Sequence, residues 1–147
     1  MNAFPKYLKV LSDGSRLPAD DPRTDHVAVL DTTRSLLIHP HSITVDGESA
    51  PRDKLLAAIA ELDILGGGWQ LATREEAESI LDLSRHDPSV DPSLFPGIRT
   101  DDWHVTSTPA AWAPARACWW VDFSYGDVYF YDVDLNGFAL AVRPAGQ

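Results

Sequence analysis

The chain has 147 residues, of which 44% are hydrophobic and 23% charged, a composition that suits one ordinary globular domain and excludes wholesale disorder. Its 22 acidic against 12 basic side chains leave a formal charge of −10, which repels phosphate and anionic lipid and so argues against direct nucleic-acid binding and membrane docking. A single cysteine, Cys118, excludes an intrachain disulfide and a cysteine-built zinc site, and no apolar run suits a membrane span or a signal peptide, so a cytoplasmic protein is expected.

The first 25 residues are dense in Asp, Ser, Gly and Pro and read as an irregular segment. Short β-type runs follow at His26–Leu30, Ser35–His39 and Ser42–Val45, the last ending at the tight-turn pair Asp46-Gly47. A first helix is expected between Pro51 near its start and Gly66 past its end. Leu55, Ile59 and Leu62 share one face of it, and Leu56 widens the stripe. Gly66 to Gly68 and then Trp69-Gln70-Leu71 lead into a second helix, which opens at Thr73-Arg74-Glu75-Glu76. That tetrad matches a capping box, in which the Thr73 hydroxyl and the Glu76 carboxylate satisfy each other's backbone amides. Ala77, Ile80 and Leu81 form its apolar stripe.

A long loop with three prolines, HDPSVDPSLFPG, comes next, followed by the fragment WHVTST and a second loop, PAAWAPARA. The pattern then turns to β. Alternation in Trp119–Phe123 puts Trp119, Val121 and Phe123 on one face and Trp120 and Asp122 on the other. Turns at Tyr125-Gly126 and Asn136-Gly137 divide three strands, Trp119–Phe123, Asp127–Val133 and Phe138–Arg143, which describes an antiparallel meander. The whole reads as a single α+β domain over 1–147: two helices, a small antiparallel sheet, a long loop region and a C-terminal β-meander.

The segment Gly68-Trp69-Gln70-Leu71-Ala72-Thr73-Arg74-Glu75-Glu76 resembles the "WRLPTxxEL" motif of a bacterial and phage family, domain-of-unknown-function family 1566, also called the collagen-like-adhesin C-terminal (Lcl) family. Further likenesses follow in order. Phe95-Pro96 resembles its "FP", and Trp103-His104-Val105-Thr106-Ser107-Thr108 its "YWSST". Trp120-Val121-Asp122-Phe123-Ser124-Tyr125-Gly126 is similar to "WxVxFxxG", and Ala141-Val142-Arg143 to the closing "VRxV". Upstream, Val29–Leu37 resembles the opening "DxxTGLxW" without its Gly-Leu-x-Trp, and Gln70-Leu71-Ala72 stands in place of "RLP". The likeness covers residues 26–145 and implies a C-type-lectin-like fold that binds through its loop region. Such a likeness does not by itself assign a function.

Calcium is the first chemistry to weigh, because lectin-type folds often hold sugar through it. A calcium site needs six to eight converging oxygens. Asp101-Asp102 and Asp132/Asp134 supply carboxylates, but Glu-Pro-Asn and Trp-Asn-Asp motifs are missing, which argues against calcium-dependent sugar binding. Cys118 reads as a small buried hydrophobe. His39-Pro40-His41 could place two imidazoles on one side, yet a metal would want a third ligand at suitable spacing. Neither a Gly-x-Ser-x-Gly elbow nor a phosphate loop is present, and Gly66–Gly68 reads as a helix end with a close backbone approach. No catalytic residue, metal or cofactor is therefore assigned.

The aromatic residues concentrate in 101–147 together with an excess of acids. Trp69, Trp119, Val121 and Phe123 read as core, whereas Trp103, Trp112, Trp120 and Tyr125 fall in loops or on the opposite face. The leading expectation is a non-catalytic protein-binding module using Asp101, Asp102, Trp103, His104, Trp112 and Arg116. Aromatic anchors would supply burial and acids would supply steering, so the partner is a protein with a basic surface. A sharper version has the chain, as a phage-type inhibitor, blocking a nucleic-acid-binding surface of a bacterial defence protein. The alternative class is a carbohydrate- or small-ligand-binding lectin-like domain, or an enzyme, with a pocket in the same loops.

Overall fold

A computed structural model of the chain describes residues 5–146. Turn-forming residues, far from marking an irregular N-terminus, bend it into a hairpin: β1 (Tyr7–Val10) pairs antiparallel with β2 (Arg16–Pro18). The Asp13 carboxylate accepts from the Ser15 amide and hydroxyl at 2.9 and 2.6 Å, and Gly14 takes φ 87° at the corner. Thus Asp, Gly and Ser are the loop of a hairpin whose strands are too short to stand out from it. Lys9 is fully buried and its ammonium donates to the carbonyls of Asp21 and Arg23, which ties the following loop to the strand. Residues 1–4 of the N-terminal segment lie outside the described residues.

β1 also pairs with β3 (Ala28–Asp31), which pairs with β4 (Leu36–Ile38). Every residue of β3 and β4 is buried, the signature of strands covered on both faces. Ser42–Val45 does not become a strand. Ile43 makes one isolated bridge to Ala139, and Val45 and Glu48 exchange two 3.0 Å hydrogen bonds around Asp46 and Gly47, whose φ values are 54° and 79°.

The first helix, α1 (Arg52–Ala60), follows Pro51 and stops well before Gly66. Leu55 and Ile59 are buried, Leu62 lies past the helix end, and Leu56 is 41% exposed, because one step of about 100° turns it off the core face. Gly66 belongs instead to a separate 3-10 turn, Ile64–Gly66, and Gly66, Gly67 and Gly68 all have positive φ. After β5 (Gln70–Leu71), α2 (Arg74–Glu78) starts at the expected capping box: Thr73 Oγ1 accepts from the Glu76 amide at 3.1 Å and Glu76 Oε1 from the Thr73 amide at 2.9 Å. Ala77 is buried within α2, and Ile80 just beyond it. The proline-rich loop that follows is not free: Val90, Leu94 and Phe95 are buried, and Ser89 donates twice to the Phe123 carbonyl.

The C-terminal third holds β6 (His104–Pro109), β7 (Ala117–Val121), β8 (Val128–Asp132), β9 (Phe138–Ala139) and β10 (Ala141–Pro144). Two sheets result, ordered β2-β1-β3-β4-β10-β5 and β8-β7-β6-β9, antiparallel throughout except for the β6–β9 pair, with the two helices beside them. The fold class is therefore α+β, as the sequence indicates.

The meander is only half formed. β7 and β8 pair as expected, with Trp119 opposite Phe130, but the run after Gly137 does not return beside β8. It splits at Leu140: β9 lies parallel to β6, and β10 crosses into the other sheet between β4 and β5. Residues 138–142 are buried without exception, so this segment serves two cores and joins two sheets. One core gathers Leu55, Ile59, Trp69, Cys118 and Trp120, and the other Val29, Ile38, Phe95, Val121 and Phe123. Among the described residues no helix is long and apolar enough to cross a membrane.

Candidate functional site

The two tryptophans of β7 exchange the places expected of them. Trp120 is 1% exposed and lies in the first core, whereas Trp119 is only half-buried. Alternation sorts the two faces of a strand correctly, but both faces of β7 are covered, and the Trp119 side is covered by a surface layer. Its ring carries the Arg74 guanidinium 4.1 Å above its centre, and Glu78 braces that guanidinium at 3.1 Å.

Because β8 is the edge of its sheet, its side chains wrap round an open margin. Trp112, 60% exposed at the tip of the 109–117 loop, meets Phe130 at 4.8 Å and Trp119 at 5.8 Å between ring centres, both edge-to-face. Phe130 stacks on Tyr129 at 4.5 Å across the strand edge. Tyr129 meets Tyr131 at 5.5 Å, and Tyr131 meets Trp103 at 5.1 Å. A continuous run of rings thus leads from Trp112 through Phe130, Tyr129 and Tyr131 to Trp103. Each such pair is worth roughly 0.5–1.5 kcal/mol beyond its area, so the ring contacts favour this arrangement although the run is largely exposed. The strand residues of this run are absent from the sequence-based set. A signal for them exists, since three consecutive aromatics in one strand cannot all face the same core.

Acids surround the run. Asp127 precedes β8 and Asp132 ends it, Asp134 follows, and Asp102 precedes Trp103. None of these four takes part in a salt bridge among the described residues. Asp101 differs. Arg99 grips it at 2.8 and 3.0 Å, which holds its carboxyl below the usual range and cancels its charge locally. Asp102 accepts instead from the Trp103 amide at 2.7 Å, which orients the carboxylate beside that ring. Arg116 is exposed on the Trp112 loop and is a positive group beside this acidic margin.

His104 does not belong to the surface at all. It is fully buried beneath it, 4.7 Å from the Phe123 ring centre, and cannot touch a partner. Ser42 Oγ lies 2.6 Å from His104 Nε2 and accepts from the Arg99 amide, and which of the serine and the imidazole donates in their shared bond is set by the ring's tautomer. Burial pushes the His104 pKa down to about 3, which keeps the ring neutral. This serine–histidine pair is enclosed by the fold and braces the strand rather than meeting a substrate. Of the sequence-based set, the structure therefore leaves Asp102 and Trp103 at one end of the aromatic run and Trp112 and Arg116 on the loop at the other, while Asp101 is paired with Arg99 and His104 is buried.

The remaining chemistry resolves structurally. Cys118 is buried, and desolvation raises its thiol pKa. His39 is buried with Nδ1 accepting from the His41 amide at 3.1 Å, and desolvation lowers its pKa to about 4. Among the described residues, no three His, Cys, Asp or Glu side chains gather in a way that could hold a metal. The Gly66–Gly68 turn is held from within, since Arg143 donates to the carbonyls of Leu65 and Gly67, both at 2.6 Å.

Comparison with curated proteins and with solved structures gives no significant match. The family model described as the Lcl C-terminal domain matches residues 29–144. That span runs from β3 to the end of β10, leaving outside it the hairpin that widens the first sheet. The chain belongs to the Lcl C-terminal domain family.

Proposed function

We propose that the chain is a non-catalytic protein-binding module whose contact face is the aromatic run along β8, from Trp112 to Trp103. The observation that carries this reading is the continuity of that run on an exposed, acid-flanked sheet edge. Large rigid rings supply contact area at little entropic cost, and Trp and Tyr are the commonest anchors of protein interfaces. The acids Asp102, Asp127, Asp132 and Asp134, which form no salt bridge among the described residues, set the charge of the rim, which favours a basic partner and speeds its approach. The open backbone of β8 also offers hydrogen-bonding groups to an extended segment of that partner, while Asp127 and Asp132 at its two ends discourage pairing with a second acidic copy.

The finer reading keeps a C-type-lectin-like layout and a partner whose basic surface ordinarily handles nucleic acid, blocked in the manner of a phage-type inhibitor. The family resemblance and the −10 charge support it. Affinity capture from bacterial lysate tests both levels when repeated with Trp112→Ala and with Tyr129→Ala. The expected result is a protein held by the native chain, lost with either variant by a factor matching about 2 kcal/mol or more, and released by raised salt. Variants that hold every captured protein at native levels would overturn the face. Salt-insensitive capture would overturn the basic partner.

A further inference from the structure

One end of the aromatic run is concave. Asp102, Trp103, Trp120, Tyr131, Leu135 and Asn136 line a cavity of about 220 Å³ that is open on one side to solvent. Its floor is the buried Trp120, and the close packing of Gly137 seats that floor: a Cβ on Gly137 would come within 2.5 Å of Trp120 Cζ3 and 2.6 Å of the Trp103 carbonyl oxygen. Two walls are the rings of Trp103 and Tyr131, whose centres lie 5.1 Å apart at 73°. They make a corner and not a parallel slot. Asp102 stands beside that corner with its carboxylate oriented by the Trp103 amide. No Lys or Arg lines the cavity, and Asp102 has no salt-bridge partner among the described residues.

Size and charge decide what such a cavity would take. Sites for whole small molecules run from roughly 300 to 1,000 Å³, so this one suits a single side chain. Aromatic faces carry partial negative charge, and a carboxylate beside them makes the enclosure selective for a cation. A guanidinium prefers to stack on one ring, and the Arg74 guanidinium carbon stands 4.1 Å over the centre of Trp119. A corner of two rings instead offers two faces to a compact, tetrahedral ammonium.

We propose that this cavity is an ammonium cage that receives a lysine side chain of the protein partner. The proposal rests on the protein-binding reading above and names the chemistry of its anchor. The aliphatic stem of the lysine would lie against Leu135 and Tyr131, and its ammonium would sit between the rings and the Asp102 carboxylate.

Titration of the full chain with n-butylammonium, followed through the indole N–H signals of the five tryptophans, tests the cage. The uncharged probe 1-butanol serves as control. The expected result is a saturable shift of the Trp103 signal with n-butylammonium, at least fivefold weaker affinity for 1-butanol, and an unmoved Trp112 signal. Asp102→Asn, which preserves shape, and Tyr131→Leu, which preserves apolar bulk, should each weaken n-butylammonium by about fivefold or more. Equal responses to the two probes, no response to either, or full affinity in both variants would overturn the cage. Lysate capture that fails while the titration succeeds would remove the partner reading and keep the cage. The reverse pattern would remove the cage and keep the face.

Discussion

Adjacent tryptophans in β7 show how much context decides the role of a single residue. Trp120 fills the first core and Trp119 supports a surface layer, while Trp112 lies mostly in solvent. Removing them should have unequal costs. Trp120→Ala should destabilise the fold by about 3–5 kcal/mol, since it leaves a large cavity under Gly137. Trp112→Ala should cost about 1 kcal/mol, the value of its ring contacts, and denaturant unfolding of the two variants measures the difference. The buried histidines set a pH dependence. His39 titrates at about 4 and His104 at about 3 in the folded chain, both lowered first by desolvation, against about 6.5 when unfolded. Between these values the unfolded chain binds more protons, so stability is complete above pH 6.5 and falls as the pH drops toward 4. His39→Gln should flatten that fall when urea midpoints are compared at pH 7 and pH 5. Cys118 is legible from its type alone, because a lone thiol among apolar neighbours is usually core. His104 is not, because nothing in WHVTST shows that Phe123, Phe138 and Ser42 close over it.

Elements differ in how locally they are specified. The start of α2 is written into four consecutive residues, because both hydrogen bonds of the capping box join groups three positions apart. Thr73→Ala should therefore cost about 1 kcal/mol by thermal or urea unfolding, and Thr73→Ser should cost much less. The Asp46-Gly47 turn is equally local, since two consecutive positive φ angles favour that pair. Strand partners are not local. The alternation around Val121 and the turn at Tyr125-Gly126 suffice for the β7–β8 hairpin, whose strands are joined by a short loop. The sequence of Phe138–Arg143 looks the same whether it pairs with β8 or, as it does, with β6, β4 and β5. That choice leaves β8 as an edge and so creates the aromatic face. The N-terminal hairpin is hidden for a related reason: Tyr7–Val10 is four residues long and gains its stability from pairing with β3.

At the scale of the whole molecule, the segment 138–144 is the tie between the halves. β9 belongs to the sheet that bears the aromatic face, and β10 to the sheet that carries the N-terminal hairpin. Arg143 extends the tie to the glycine turn through two carbonyls. Hydrogen bonds from a charged donor are worth roughly 1.5–3 kcal/mol each, so Arg143→Met should destabilise the domain by about 2 kcal/mol or more. Hydrogen exchange at Gly66–Gly68 should quicken in the same variant, and unchanged exchange there would show that the turn holds itself. The charge of −10 acts at this scale too, because steering depends on the summed field and not on one carboxylate. Asp101 illustrates the difference: it adds to the count but is neutralised by Arg99.

Composition, periodicity and local motifs by themselves determined that this is an acidic α+β domain, where its second helix begins, where its tight turn falls, and that its C-terminal third is rich in aromatics and acids. These properties depend on residue counts or on hydrogen bonds between near neighbours, which a sequence states directly. Tertiary structure alone decided which tryptophan is core, which strand is an edge, that His104 is sealed from solvent, and that Trp103 and Tyr131 meet at a corner beside Asp102. Those facts come from pairings between residues far apart in the chain, whose entropic cost is met by the fold as a whole.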